Sequence, residues 1–109
     1  MTDWDVSFVR QPTADGRSVL AVSGEIDLAV AARFAEVLTE FIEASNGEAL
    51  VDLAGVGFMD SSGVRQLLIA HRTAADRGAE LVLVAPSETC RHVLQVSGAW
   101  GEFKVADRP

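Results

Sequence analysis

The chain switches between two hydrophobic periods, and each switch marks a change of element. Val6-Ser7-Phe8-Val9 and Val19-Leu20-Ala21-Val22 are short runs rich in β-branched and apolar residues, a composition that fits a pleated, half-buried surface. Between them lies Pro12-Thr13-Ala14-Asp15-Gly16, whose Asp-Gly pair tolerates positive φ, so the two runs predict a hairpin. Ser23-Gly24-Glu25 ends the second strand, and Asp27 offers an N-cap for the next element. From Leu28 to Ser45 the period becomes helical. Ala31, Phe34, Ala35, Leu38, Phe41 and Ile42 recur on one face, and Arg33, Glu36, Glu40 and Glu43 on the other. Asn46-Gly47 supplies the left-handed stop.

Ala49-Leu50-Val51-Asp52-Leu53 predicts the next strand, followed by a loop through Gly55 and Gly57. A second helix begins near Ser61, with Val64, Leu67, Leu68, His71 and Ala75 inward and Gly78 as its stop. Leu81-Val82-Leu83-Val84-Ala85 is continuously apolar, the signature of a strand that is covered on both faces or centrally placed. Pro86-Ser87 opens a third helix with Cys90, Val93 and Leu94 inward, ending at Gly98, and Phe103-Lys104-Val105 adds a short edge strand. The order β-β-α-β-α-β-α, with a last β, calls for right-handed crossovers onto one sheet. The expectation is a single α/β domain over residues 1–109, with its core from about 5 to 105. Its sheet is mixed and mostly parallel, of about four to five strands, with about three helices and an N-terminal β-hairpin.

Composition narrows the setting. A chain of 109 residues fits one domain, and 49% hydrophobic residues suffice for one core. The lone cysteine, Cys90, has no internal disulfide partner, which suits a reducing compartment. Met1-Thr2-Asp3-Trp4-Asp5 is acidic and lacks the basic stretch and apolar block of a secretory signal. No apolar run reaches the roughly 18–20 residues of a membrane helix, so a cytoplasmic location without membrane association is expected. The net charge of −7 repels phosphate backbones and anionic lipid, which disfavours direct nucleic-acid binding.

Chemistry concentrates in Phe58-Met59-Asp60-Ser61-Ser62-Gly63, because sites on such sheets form where a strand's C-terminal end meets the next helix. Asp60, Ser61 and Ser62 can each cap the helix. Phe58-Met59 places bulky apolar groups just before them, as a contact surface if exposed and as a staple if buried. Gly63 costs about 1 kcal/mol relative to alanine inside a helix, which points to close approach by a backbone, the chain's own or a partner's. A hydroxyl at a helix N-terminus is also placed to carry phosphate, since unpaired amides and the dipole favour an anion.

Other chemistries fit less well. Ser61 with His71 and Asp52 or Asp60 can be written as a hydrolase triad, but the Gly-x-Ser-x-Gly elbow is absent. Cys90 and His92, with His71, suggest a metal site, yet residues two apart on a helix point in different directions. No metal and no cofactor are expected, and the chain has neither phosphate-binding glycine motif. Arg65, Arg72, Arg77 and Arg91 read most simply as solvated faces that balance local acids, with a docking role open but not required, and Trp100 reads as a lid over the core.

Gly24-Glu25-Ile26-Asp27, Leu50-Val51-Asp52-Leu53 and Phe58-Met59-Asp60-Ser61-Ser62-Gly63, in that order, resemble the anti-sigma factor antagonists of the STAS domain superfamily. The resemblance runs from the first hairpin to about Val105. It implies a non-enzymatic partner switch. In that family the serine after the aspartate is phosphorylated by an anti-sigma factor that is itself a serine kinase. The unphosphorylated antagonist binds this kinase and releases a sigma factor, and a phosphatase resets the system. The match implies Ser61 as acceptor, with Ser62 as the fallback, and a partner-binding surface comprising Asp27, Phe58, Met59, Asp60, Ser62 and Gly63. The preference for Ser61 over Ser62 comes from that match alone. The alternative within the family is a scaffold or sensor module in a stress-signalling complex without direct sigma-factor control. Some relatives have been linked to nucleotide binding.

Overall fold

The computed structural model describes residues 6–109, so the acidic Met1–Asp5 segment lies outside the described residues. The hairpin forms as the pattern predicts. β1 (Val6–Pro12) pairs antiparallel with β2 (Ser18–Ile26), and the turn between them uses Gly16 at φ 86°. A 3₁₀ turn (Leu28–Val30) leads into α1 (Ala31–Glu43), then β3 (Glu48–Met59), α2 (Ser61–Asp76), β4 (Glu80–Val84) and α3 (Glu88–Val96). A second 3₁₀ turn (Trp100–Glu102) precedes the short β5 (Lys104–Ala106). Gly47, Gly78 and Gly98 follow the three helices with φ between 75° and 86°, the left-handed geometry that ends a helix most cheaply at glycine.

Strand order is β1-β2-β3-β4-β5, and every pair from β2 onward is parallel. Each crossover therefore advances one strand in the same direction. Since such crossovers are right-handed, all three helices fall on one face of the sheet. The main core lies there: Phe34, Leu38, Phe41 and Ile42 of α1, Val64 and Leu67 of α2, and Cys90 and Leu94 of α3 pack on Leu20, Val51, Leu53, Leu81 and Leu83. Val19, Leu50, Val82 and Val84 form a smaller cluster on the other face, with Ala85 and Ala106 against it. β4 sits between β3 and β5 and buries both its faces, which is why residues 81–84 read as one apolar run. On α2 the inward position near the C-terminal end is Ala74, while Ala75 is exposed.

The structure departs from the sequence expectation at Gly55 and Gly57. These residues do not form a loop; β3 runs through both of them to Met59. The β2–β3 register shifts between Ala21 and Ser23 and again between Gly24 and Glu25, with β3 carrying the extra residue each time. Such bulges bend a strand without ending it. At the first, Asp52 Oδ1 accepts from the Ala54 amide at 2.8 Å. A Cβ on Gly55 would sit 2.7 Å from Ser23 Cβ, so this glycine marks close strand approach rather than a turn. Pairing of β3 with β4 stops at Asp52, whereas pairing with β2 continues to Met59. The β2–β3 ladder thus projects beyond β4 and carries the residues of the site at its tip.

Candidate functional site

Glu25 pairs with Phe58 and Ile26 with Met59, and the Asp60 amide donates to the Ile26 carbonyl at 3.1 Å. Asp27 and Asp60 therefore leave adjacent strands together, and each caps the helical turn that follows it. Asp27 Oδ1 accepts from the Ala29 amide at 3.0 Å, and Asp60 Oδ1 from the Ser62 amide at 2.9 Å. Of the three residues able to cap α2, Asp60 does so, while Ser61 and Ser62 occupy its first two positions. The Gly63 and Val64 amides donate to the Asp60 carbonyl at 3.1 and 3.3 Å. This corrects the argument from unpaired amides: those of residues 62–64 are already engaged, and the helix dipole remains.

The apolar pair before the cap divides its roles. Phe58 is 46% exposed, whereas Met59 is only 2% exposed and packs inward. Gly63 is buried as well, and its close neighbours are side chains rather than a backbone. A Cβ there would lie 2.7 Å from Met59 Cγ and 2.9 Å from Ile26 Cγ2. Met59 and Gly63 thus seat the start of α2 on the sheet from below and present no side chain to solvent. Ser61 is exposed and Ser62 half-buried.

Beside Ser61 runs a shallow groove of about 460 Å³, with Leu28 and Ala31 on one wall and Ser61, Ser62, Arg65 and Ile69 on the other. Leu28 is 78% exposed and Ile69 42% exposed, so the groove carries apolar side chains left uncovered among the described residues. Leu28 and Ile69 are additions to the residues the sequence singles out, and Arg65, read there as a solvated face, joins them at the groove. A leucine on the solvent side of a helix start was the available signal for Leu28. That Ile69 and Arg65 face it depends on α1 and α2 packing side by side, which no local pattern encodes.

The competing chemistries are not assembled. His71 lies ten residues after Ser61 on α2, about 15 Å of helix rise. Its Nδ1 is buried without a hydrogen-bond partner among the described residues, and its ring meets Phe103 edge-on at 5.6 Å. Asp52 bonds its own strand at Ala54. Cys90 is buried in the core, where desolvation raises its thiol pKa, and no three His, Cys, Asp or Glu among the described residues cluster as metal ligands. Trp100 is half-buried against the core, with the Arg91 guanidinium 5.5 Å above its ring. No helix among the described residues is long and apolar enough to cross a membrane.

The architecture has known counterparts. An anti-sigma factor antagonist from Mycobacterium paratuberculosis superposes with a TM-score of 0.79 at 24% identity, over 94% of this chain and 86% of that one. The anti-sigma factor antagonist SpoIIAA in its unphosphorylated form gives 0.70 at 25% identity, over 92% and 88%. The Bacillus cell fate determinant SpoIIAA in its phosphorylated form gives 0.66 at 25% identity, over 92% and 90%. The fold is thus that of anti-sigma factor antagonists. A family model of the STAS domain matches residues 8–108, and with this span of the chain accounted for, the protein belongs to the STAS domain family.

Proposed function

We propose that this chain is a cytoplasmic, non-catalytic anti-sigma factor antagonist whose docking to a kinase-type anti-sigma factor is switched off by phosphorylation of Ser61. The observation that carries the proposal is an exposed serine on the first turn of α2, at the rim of a groove bearing uncovered Leu28 and Ile69. Similarity to SpoIIAA, known in both unphosphorylated and phosphorylated forms, supports the same reading. Exposure also favours Ser61 over the half-buried Ser62. Asp27, Phe58, Asp60 and Ser62 then belong to the docking face, while Met59 and Gly63 act beneath it by fixing the helix start.

In the modification the Ser61 Oγ–P bond forms as the terminal phosphoanhydride bond of kinase-bound ATP breaks; ADP leaves, and the hydroxyl proton passes to a base on the kinase. Phosphoserine adds about −1.5 to −2 charges to a chain already at −7. At an exposed helix start the dipole offsets roughly 0.3–1 kcal/mol of that, so the domain stays folded. At a docked interface the dianion must shed water, and each 1.4 kcal/mol of mismatch weakens binding about tenfold. A phosphatase restores the hydroxyl by hydrolysis of the phosphoester.

The test is intact-mass analysis and site mapping after incubation with ATP and candidate anti-sigma kinases, comparing wild type with Ser61→Ala. One added phosphate that maps to Ser61 and disappears in the variant is expected. Undiminished phosphorylation of Ser61→Ala refutes Ser61 as acceptor. Capture of other STAS proteins alone, with no kinase, favours a scaffold module instead.

A further inference from the structure

We propose that Arg65 is the internal counter-ion of phosphorylated Ser61, so that modification draws a cation out of the docking face at the same moment as it adds a dianion. The inference rests on Ser61 being the phosphorylated residue and assigns a regulatory role to a side chain that the capping geometry does not use.

Arg65 follows Ser61 by four positions on α2, and both line the groove. Residues four apart on a helix have Cβ atoms about 5–6 Å from one another. Helical side chains lean toward the N-terminus and cover the preceding turn, which puts Ser61 within reach of the guanidinium. Arg65 is exposed and has no hydrogen bond or ion pair among the described residues. Other arginines are committed: Arg91 stacks over Trp100, Arg33 over Phe8, and Arg77 donates to the Glu43 carbonyl.

The alternatives for a phosphate at Ser61 are poor. The amides of residues 62–64 are held by Asp60. The charged groups that end β2 and β3 are the carboxylates of Glu25, Asp27 and Asp60, all of the wrong sign. Arg65 is the cation among the groove's lining residues, and its planar fork matches two phosphate oxygens at once. In the unmodified protein the same guanidinium is free to meet an incoming partner. Pairing with phosphate removes it from that surface.

The experiment uses the full chain with phosphoserine installed at position 61 during synthesis, in wild-type, Arg65→Gln and Arg65→Lys backgrounds. Phosphorus NMR follows the second phosphate ionisation, ordinarily near pH 6. With Arg65 present that ionisation should fall about half a pH unit below its value in Arg65→Gln. Arg65→Lys should recover part of the shift, and high salt should shrink it. The Arg65 Nε resonance should move on phosphorylation, and amide spectra should show the same fold throughout. Coincident titration curves in all three backgrounds would overturn the proposal. Because the phosphoserine is installed directly, failure of kinases to modify Ser61 sinks the functional reading and leaves this result standing. Coincident curves in a protein that kinases do modify sink the pairing alone.

Discussion

Gly63→Ala adds one methyl group where the start of α2 rests on the sheet. Its new Cβ would stand 2.7 Å from Met59 Cγ, 2.9 Å from Ile26 Cγ2 and 3.2 Å from Met59 Sδ. Comfortable carbon contacts begin at about 3.5 Å, so the neighbours must retreat by about 0.6–0.8 Å. Met59 can rotate, but it is 2% exposed and hemmed in by core, and the β-branched Ile26 is fully buried and stiff. Overpacking of this kind costs about 1–3 kcal/mol, and the helical preference of alanine over glycine returns at most about 1 kcal/mol. Because the buried Ile26 cannot yield, the cost falls in the upper part of that range, and a net loss of about 1–2 kcal/mol follows, equivalent to a fall in Tm of about 5–10 °C for a domain of this size. Calorimetry or circular dichroism reads it directly. In a Met59→Ala background the contacts at 2.7 and 3.2 Å are gone and the one to Ile26 Cγ2 remains, so the same substitution should there cost less than in wild type, giving a measurable coupling in the double-mutant cycle. A Gly63→Ala protein that melts at or above the wild-type temperature would falsify the claim that this glycine exists for packing.

Asp60→Ala removes the α2 cap and should lower stability by about 1 kcal/mol in urea unfolding, with Asp60→Asn close to wild type; equal loss in both variants would mean that the carboxylate's charge, not its hydrogen bond, matters. Leu28→Ala should weaken docking of the anti-sigma kinase at least about tenfold while leaving stability within about 0.5 kcal/mol, and unchanged affinity would remove the groove from the interface. At the opposite end of the sheet, a hydrogen bond from Arg17, then one from Thr13, hold the Asp15 carboxyl down to about 2, and Lys104 lowers Glu48. Folded carboxyl values below the unfolded ones mean stability that is full above the unfolded values, near 4, and lost as pH falls toward 2. Arg17→Gln should flatten that acid limb of Tm against pH, by a small and salt-sensitive amount because the groups are exposed; parallel curves would contradict it.

Much of this fold is legible in the sequence because its local signals agree with its tertiary demands. The helical stripe from Ala31 to Ile42 and the apolar run over residues 81–85 are consequences of burial; both form, the helix after a 3₁₀ turn at Leu28–Val30 and the strand ending at Val84, one residue short of Ala85. The glycines are where local reading fails. Gly55 and Gly57 resemble loop residues because glycine is a poor strand former, yet Gly55 is demanded by Ser23 on the neighbouring strand. Gly63 announces a close contact without saying with what, and the answer is a methionine and an isoleucine from two different strands. The site shows the same division. Asp27 and Asp60 carry capping chemistry that a linear motif displays, and Ser61 follows the second cap directly. Leu28, Arg65 and Ile69 share a groove only because right-handed crossovers stack α1 and α2 on one face.

Under the proposed switch, docking requires an uncharged Ser61, and phosphate blocks it without unfolding the domain. Isothermal titration of the anti-sigma kinase with the unmodified chain and with the chain phosphorylated at Ser61, each paired with a thermal melt, tests this most directly. A single-site complex is expected with the unmodified protein and affinity at least about a hundredfold weaker after phosphorylation, with the two forms melting within a few degrees of each other. Equal affinity for both forms, or weakening that tracks a collapse in Tm, would contradict it.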